Sequence, residues 1–509
     1  MTMKGRMIMR RSRSILAATL VLFVVGSCVR TGSVKPAAGG NTGPASLSAI
    51  TGPLRHTPNS RYFVDGSGKA IALTGSHHWN NLQDGHYVLD YNTYLDFMVQ
   101  HNHNFMRMWT WESVEMTPTR YRRTGPGTAI DGGLKFDASP NGLNQAYFDL
   151  LRSRVSAARD RGIYVSIVLF QGWDIEDHGE GDPWPRHPFN AANNINGING
   201  DPNGDNQGHE VHTLSIKAIT NLQDAYVRKV IDTVNDLDNV LFEISNESNT
   251  DSVSWQYHMI NLIKNYEARK PKRHPVGMTS LGYCAIYGLW REAIPNTALY
   301  NSPADWISPF GGRDYEGYAT NPPAAKGSKV MIPDTDHGAA GGDAIGVWKN
   351  VTRGLNPILM DTDLSYSIPP PSPDASEPAR QAMGRAVYFI NTRIADLNSM
   401  TPQNGGSSPA STGYCLYRTG AEYLVYLPGA GNVNMSLPAG NYNYAWYTAD
   451  GDPLNVSPVA SGSVTGGSQS FSQPSGANVL YITANSKAGL LPGRRQVEGL
   501  QHPRPREGW

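Results

Sequence analysis

The sequence predicts an α/β protein, a (β/α)8 TIM barrel followed by a small C-terminal β-sandwich. Two observations carry this. Between residues 53 and 400 apolar strand-like runs alternate with amphipathic helical ones, and past "TPQNGGSSPAST" the pattern changes to short strands broken by Gly, Pro and Asn turns. Strands that are apolar throughout need cover on both faces, which means a parallel sheet; about eight of them favour a closed barrel over an open sheet.

Taken in order, "AIALTGSHHW" is a strand, "YNTYLDFMVQHN" a helix and "HNFMRMWTWE" a second strand. Tyr147 to Arg161 places Leu150, Leu151, Arg154 and Val155 at helical spacing, and "IYVSIVLFQGW" is a continuous buried strand. Leu222 to Leu237 is a helix with Leu222, Tyr226, Val230 and Val234 on one face; "NVLFEISNE" is the fourth strand. A helix with Trp255, Met259, Leu262, Ile263 and Tyr266 in register follows, then "HPVGMTS", "DWISPF", "KVMIPDTDH", a helix through Val347 and Trp348, "NPILMDT", and a last helix from Glu377 to Leu397. The strands of residues 408–485 are those expected of a sandwich.

The N-terminus carries Lys4, Arg6, Arg10, Arg11 and Arg13 ahead of an uncharged run from Ile15 to Val25, a secretory signal too short to span a bilayer. Gly26 and Ser27 directly before Cys28 resemble a bacterial lipoprotein box with Cys28 as the lipidated residue; a plain cleaved signal is the alternative, and Arg10-Arg11 fits a twin-arginine signal poorly. Residues 1–28 are thus read as the signal, 29–52 as a flexible Gly/Ser/Pro-rich tether and 486–509 as a disordered tail. The expected location is the cell envelope, with a lipid anchor as the membrane partner.

Losing the signal removes five of the 43 Lys and Arg and none of the 43 Asp and Glu, so the mature chain is mildly acidic. It has no basic patch for a nucleic acid. Cys284 and Cys415 are too far apart in sequence to suggest a disulfide framework. A monomer is expected.

Barrels of this kind hold their chemistry at the C-terminal ends of the strands. There the chain places His77, His78 and Trp79 after strand one, Arg107, Trp109 and Trp111 on strand two, and Trp173 after strand three. Asn246-Glu247 ends strand four, and Asp334, Asp336 and His337 end strand seven. Two carboxylates across a barrel mouth can cleave a glycosidic bond, one as acid and the other as nucleophile or base. Asn246 is placed to bind a sugar hydroxyl, and the tryptophans to stack on sugar rings. Glu243 is expected inside the barrel in a hydrogen-bond network, and the long segment 174–212 should shape the cleft.

Asn-Glu ending strand four, Arg107 on strand two and an acid ending strand seven resemble the retaining (β/α)-barrel glycoside hydrolases of clan A, the cellulase-like superfamily. More narrowly, "RYFVDGSGKAIALTGSHHW", "DLDNVLFEISNES" and "GGDAIGVWKNVTRGLNPILMD" resemble bacterial secreted proteins whose C-terminal domain is labelled collagen-binding. The resemblance runs from about residue 53 to 485 and implies Glu247 as general acid/base, with Arg107 keeping the nucleophile ionised. The clan has Glu at strand seven where this chain has Asp334 and Asp336, so the second carboxylate and the stereochemistry stay open, with a lean to Asp334 and to retention.

The substrate implied is a poly- or oligosaccharide, with no cofactor. A noncatalytic carbohydrate- or matrix-binding lipoprotein on a barrel scaffold is the alternative. Asp334, Asp336 and His337 are also hard metal ligands, with His77 and His78 as the obvious partners, yet no metal is expected. "DPNGDNQGHE" alternates oxygen side chains as calcium loops do but lacks the EF-hand spacing and reads as a polar loop.

Overall fold

The computed structural model describes residues 47–485 apart from 58–60, 86–89, 114–115, 177–181, 281–293, 312–315, 340, 366–367, 369 and 371–373. The signal with Cys28, the tail from 486 and Cys284 lie outside the described residues.

Parallel strands β1 (Gly75–His77), β2 (Phe105–Met108), β3 (Tyr164–Gln171), β4 (Val240–Asn246), β5 (Val276–Thr279), β6 (Trp306–Ser308), β7 (Val330–Met331) and β8 (Ile358–Met360) form the first part. They make a six-stranded sheet in the order β7-β6-β5-β4-β3-β2 and a two-stranded pair β8-β1. The pieces adjoin on both sides. Asp334, just past β7, forms a parallel bridge with Ile358 of β8, and the backbone N–H of Asn104, ahead of β2, donates to Thr74 O at 3.1 Å ahead of β1. Gly75 makes the second approach feasible, because a Cβ there would lie 2.3 Å from Phe105 O. The parallel sheet is therefore strongly curled.

Every residue of β3 and β4 is buried, as continuous apolar strands require. Cover comes from α1 (Tyr91–Gln100), α2 (Gln145–Arg159), α3 (Lys217–Val234), α4 (Val253–Glu267), α5 (Asn296–Asn301), α6 (Ala344–Thr352) and α7 (Glu377–Tyr388). Asp90 starts α1 by accepting from the backbone N–H groups of Asn92 and Thr93. α3 begins about a turn before Leu222, because Ile219 continues the same buried face.

Leu47 and Ile50, assigned to the tether by sequence, pack against the cores on this sheet, so the folded body starts ahead of residue 53. The segment after β3 has a core of its own. Ile175, Trp184, Phe189 and Val211 cluster with Tyr121 and Phe136, the latter from a hairpin formed by Arg123–Thr128 and Leu134–Phe136. Asp201 spends its carboxylate on the backbone N–H groups of Gly204, Asp205 and Asn206, which is a polar loop tied to itself.

After α7 the chain forms β9 (Thr401–Pro402), β10 (Cys415–Arg418), β11 (Glu422–Tyr426), β12 (Asn432–Tyr447), β13 (Ala460–Ser472) and β14 (Val479–Ala484). These make one six-stranded antiparallel sheet in the order β9-β10-β11-β14-β12-β13. One face shares an apolar cluster with α6 and α7 that includes Trp348, Phe389, Tyr426 and Tyr447. Trp348 Nε1 donates to Ala449 O at 2.7 Å and Arg353 Nη1 to Gln403 O at 2.7 Å across the same boundary. The opposite face buries Tyr423, Val433, Trp446, Phe471 and Leu480 in a second cluster, helped by a register shift between β12 and β13 at Leu437 and Asn441. Cys415 is buried in that cluster, and burial pushes its thiol well above its ordinary range. No helix among the described residues is long and apolar enough to cross a membrane.

Candidate active site

Arg107 of β2 points along the sheet interior and is fully buried. A guanidinium carries five N–H donors in a fixed plane, and here all five are taken. Nε and Nη2 donate to the two carboxylate oxygens of Glu243, Nη2 also to Asn246 Oδ1 at 2.8 Å, and Nη1 to Asp334 Oδ2 at 2.9 Å and Asp336 Oδ2 at 3.2 Å. The guanidinium lies 4.7 Å from the centre of the Trp109 ring. One cation thus organises the ends of β2, β4 and β7.

The two aspartates occupy different environments. Asp334 is completely buried. Its Oδ1 accepts the backbone N–H of Asp336 at 3.0 Å, and its Oδ2 lies 2.8 Å from His77 Nε2. Trp109 Nε1 donates to His77 Nδ1 at 3.0 Å, so the imidazole proton sits on Nε2 and faces Asp334. Burial alone would raise the Asp334 carboxyl, but His77 and then Arg107 outweigh it and hold Asp334 well below the usual carboxylate range. Asp336 has a side chain 15 % exposed. Burial and the adjacent Asp334 charge push its carboxyl up, with Arg107 pulling the other way.

His337 completes the floor. Its Nδ1 is 3.1 Å from Ser308 Oγ, and its Nε2 lies 3.3 Å from Asn246 Oδ1 and 3.5 Å from Asp336 Oδ2. Burial and the neighbouring Arg107 push it down to about 4, so the ring is neutral at pH 7. His78 is buried too, with Nδ1 accepting from the backbone N–H of Asn80 at 3.0 Å.

Above this floor lies a cavity of about 430 Å³ lined by Trp79, Trp109, Trp111 and Trp173, by Gln171, Asn246, Glu247 and Asp336, and by Met360 and Thr362 of the β8 end. Trp111 Nε1 donates to Trp79 O at 2.7 Å, and the rings of Trp109 and Trp111 stack with centroids 6.1 Å apart. The structure therefore brings together Trp79, Trp111, Trp173, Asn246, Glu247 and Asp336 at one opening. It puts His77, Arg107, Asp334 and His337 beneath it and His78 to the side. Glu243 is inside the sheet, paired with Arg107 and with Thr279 Oγ1 at 3.3 Å.

Glu247 is held in an unusual backbone conformation, with φ of +50°, a region L-residues rarely adopt. Gly172, the residue after β3, lies against it so tightly that a Cβ would fall 2.2 Å from Glu247 O. Gly172→Ala is accordingly expected to displace the Glu247 peptide. A crystal structure of the variant, paired with a melting curve, checks this; an unmoved Glu247 backbone would dismiss the close approach as unimportant.

A second buried cluster sits behind the tryptophans. Glu112 is contacted by Arg120 Nη1 at 3.0 Å, His187 Nε2 at 3.3 Å, His212 Nε2 at 3.5 Å and the backbone N–H of Gln171 at 3.2 Å. Burial opposes its charge, but Arg120 and the two histidines hold Glu112 well below its ordinary range. Asp174 Oδ2 accepts the backbone N–H groups of Glu112 and Ser113. His187 and His212 belong to the segment after β3, so Glu112 ties that segment to the end of β2.

Burial raises the Asp174 carboxyl to about 7, with the Glu112 charge adding to it. The unfolded chain would release this proton near pH 4. Stability from the retained proton is therefore full below pH 4 and declines as pH rises to about 7. Asp174→Asn should match the wild type at pH 4 and exceed it by on the order of 2–4 kcal/mol at pH 8, read by urea unfolding across that range.

Gln171, Gly172, Glu112, Met360 and Thr362 were not singled out by sequence. Gln171 is the polar end of an apolar strand, the same signal that marks Asn246, and that signal was available. No family model matches the chain, and no curated protein does. Among solved structures it is similar to a glycoside hydrolase family 5 protein from Bacteroides vulgatus ATCC 8482, with 14% identity, a TM-score of 0.55, and coverage of 86% of this chain and 94% of that one. It is also similar to a structure described as a glycoside hydrolase, with 15% identity, a TM-score of 0.54, and coverage of 86% and 99%. At these identities the likeness is one of fold. Among the described residues no group of three or more His, Cys, Asp or Glu is placed to hold a metal ion.

Proposed function

We propose that this protein is a glycoside hydrolase that cleaves O-glycosidic bonds of a poly- or oligosaccharide with two carboxylates. The observation that carries the reading is a single tryptophan-walled cavity into which both Glu247 and Asp336 open, above the buried Arg107. Glu247 protonates the leaving oxygen and later deprotonates water; Asp336 attacks the sugar carbon. Asp336 takes this role over Asp334, because Asp334 is closed off beneath the cavity with both oxygens engaged. Its raised carboxyl makes Asp336 the more basic and more nucleophilic of the two. The fold likeness to glycoside hydrolases supports the same class of reaction.

In this reading β1 to β8 close as one (β/α)8 barrel, and the C-terminal sheet is a sandwich-type module that buttresses α6 and α7. Residues 1–28 direct export, with Cys28 as the lipid-bearing residue that holds a monomeric enzyme at the cell envelope. Retention is the proposed outcome, and the anomer first released, followed by proton NMR, distinguishes it from inversion.

The test is sugar release from a panel of polysaccharides and aryl glycosides by the mature protein and its Glu247→Gln variant. Release by the wild type that the variant lacks supports the reading. Binding of glycans without release, equal in both proteins, would instead make the barrel a binding scaffold.

A further inference from the structure

We propose that Gln171 is a positioning residue of this site, fixing the Asn246 amide and the backbone that carries Trp173. Gln171 and Asn246 are register partners on β3 and β4, so their side chains lie side by side at the strand ends. Asn246 Nδ2 donates to Gln171 Oε1 at 3.1 Å, and the backbone N–H of Trp173 donates to the same oxygen at 3.2 Å.

The orientation of both amides follows from groups that can only donate. A backbone N–H at Trp173 demands an oxygen, which sets Gln171 Oε1. A guanidinium N–H at Arg107 demands an oxygen at the far end, which sets Asn246 Oδ1. Asn246 Nδ2 is therefore turned toward Gln171, and its second hydrogen is left for a ligand. Without Gln171 the Asn246 side chain would be held by Arg107 and His337 at its oxygen alone.

Gln171 is itself fixed. It is fully buried, and its backbone N–H is anchored on Glu112. Its own Nε2 has no hydrogen-bond partner among the described residues. Its recognisable task is the double acceptance at Oε1, which joins two residues of the cavity wall: the amide beside Glu247 and the loop that bears Trp173.

The catalytic consequence rests on the glycosidase reading; the positional claim does not. Gln171→Met keeps the length and removes the acceptor. It should lower kcat by about 10²-fold with KM changed less than about threefold, since a misaligned donor to a sugar hydroxyl weakens the transition state most. Asn246→Ala should cost a similar factor, and the double variant much less than the product of the two, because they share the Gln171–Asn246 contact. Gln171→Glu, which keeps an oxygen for both donors, should recover most of the loss.

Multiplying losses in the double variant, or an effect confined to KM, would overturn the proposal. A crystal structure of Gln171→Met decides the positional claim without substrate: rotation of the Asn246 amide or displacement of the Trp173 backbone supports it, and both staying in place refutes it. If the wild type releases sugar from nothing in the panel, the hydrolase reading fails and that structure alone still decides the role of Gln171.

Discussion

Asp336→Asn is expected to abolish sugar release, by about 10³-fold or more, while leaving the protein as stable as the wild type; Asp334→Asn is expected to unfold it more easily. Asp336 reaches the cavity and is partly exposed, so losing its charge leaves no buried group stranded, and it even removes repulsion from Asp334. Asp334 is different. It accepts from the Asp336 backbone and Arg107 and faces the His77 Nε2 proton. An asparagine there can offer one oxygen, and its NH2 must then meet a second donor head-on. His77 cannot relieve the clash by shifting its proton, because Trp109 already donates to Nδ1.

Leaving a buried charged donor unsatisfied costs about 3 kcal/mol. Rates and urea unfolding of both variants provide the check. If Asp334→Asn stays folded yet inactive while Asp336→Asn turns over normally, Asp334 is the reacting carboxylate and the assignment reverses.

The sequence made the strand ends legible, because fully apolar runs that stop at a polar residue are visible without any contact map. Asn246-Glu247 and the Asp334 to His337 cluster were found that way. The choice between the two aspartates was not legible: it depends on a one-turn helix after β7 that caps itself on Asp334 and turns Asp336 outward. Glu112 was missed for a related reason. Its partners Arg120, His187 and His212 are scattered over loops, and only the fold gathers them. The closeness of Gly172 to Glu247 is a property of backbone packing, which carries no side-chain signature.

The tether shows the opposite limit. Composition separates disordered from folded chain only on average, and Leu47 and Ile50 are two apolar residues in a Gly/Ser/Pro-rich stretch, too few to shift that average but enough to pack.

Arg107→Met should be the most destabilising single change at the site. Methionine fills a similar volume, so the loss is electrostatic. Among the described residues Glu243, with no exposure, would keep only Thr279 Oγ1, and Asp334 would keep His77 and a backbone N–H. Removing one partner of a buried ion pair costs about 3–5 kcal/mol, since the remaining charge is desolvated without compensation. Two buried carboxylates lose their cation here, so the upper part of that range applies, a fall in melting temperature of roughly 5 °C for a chain of 509 residues. The double variant Arg107→Met, Glu243→Gln should regain part of it by removing one stranded charge. Activity should not return with stability, because Asp336 and the Asn246 amide would still lack the cation that aligns them. A double variant that regained both would mean that Arg107 serves the fold alone; regained stability without turnover would separate its two tasks.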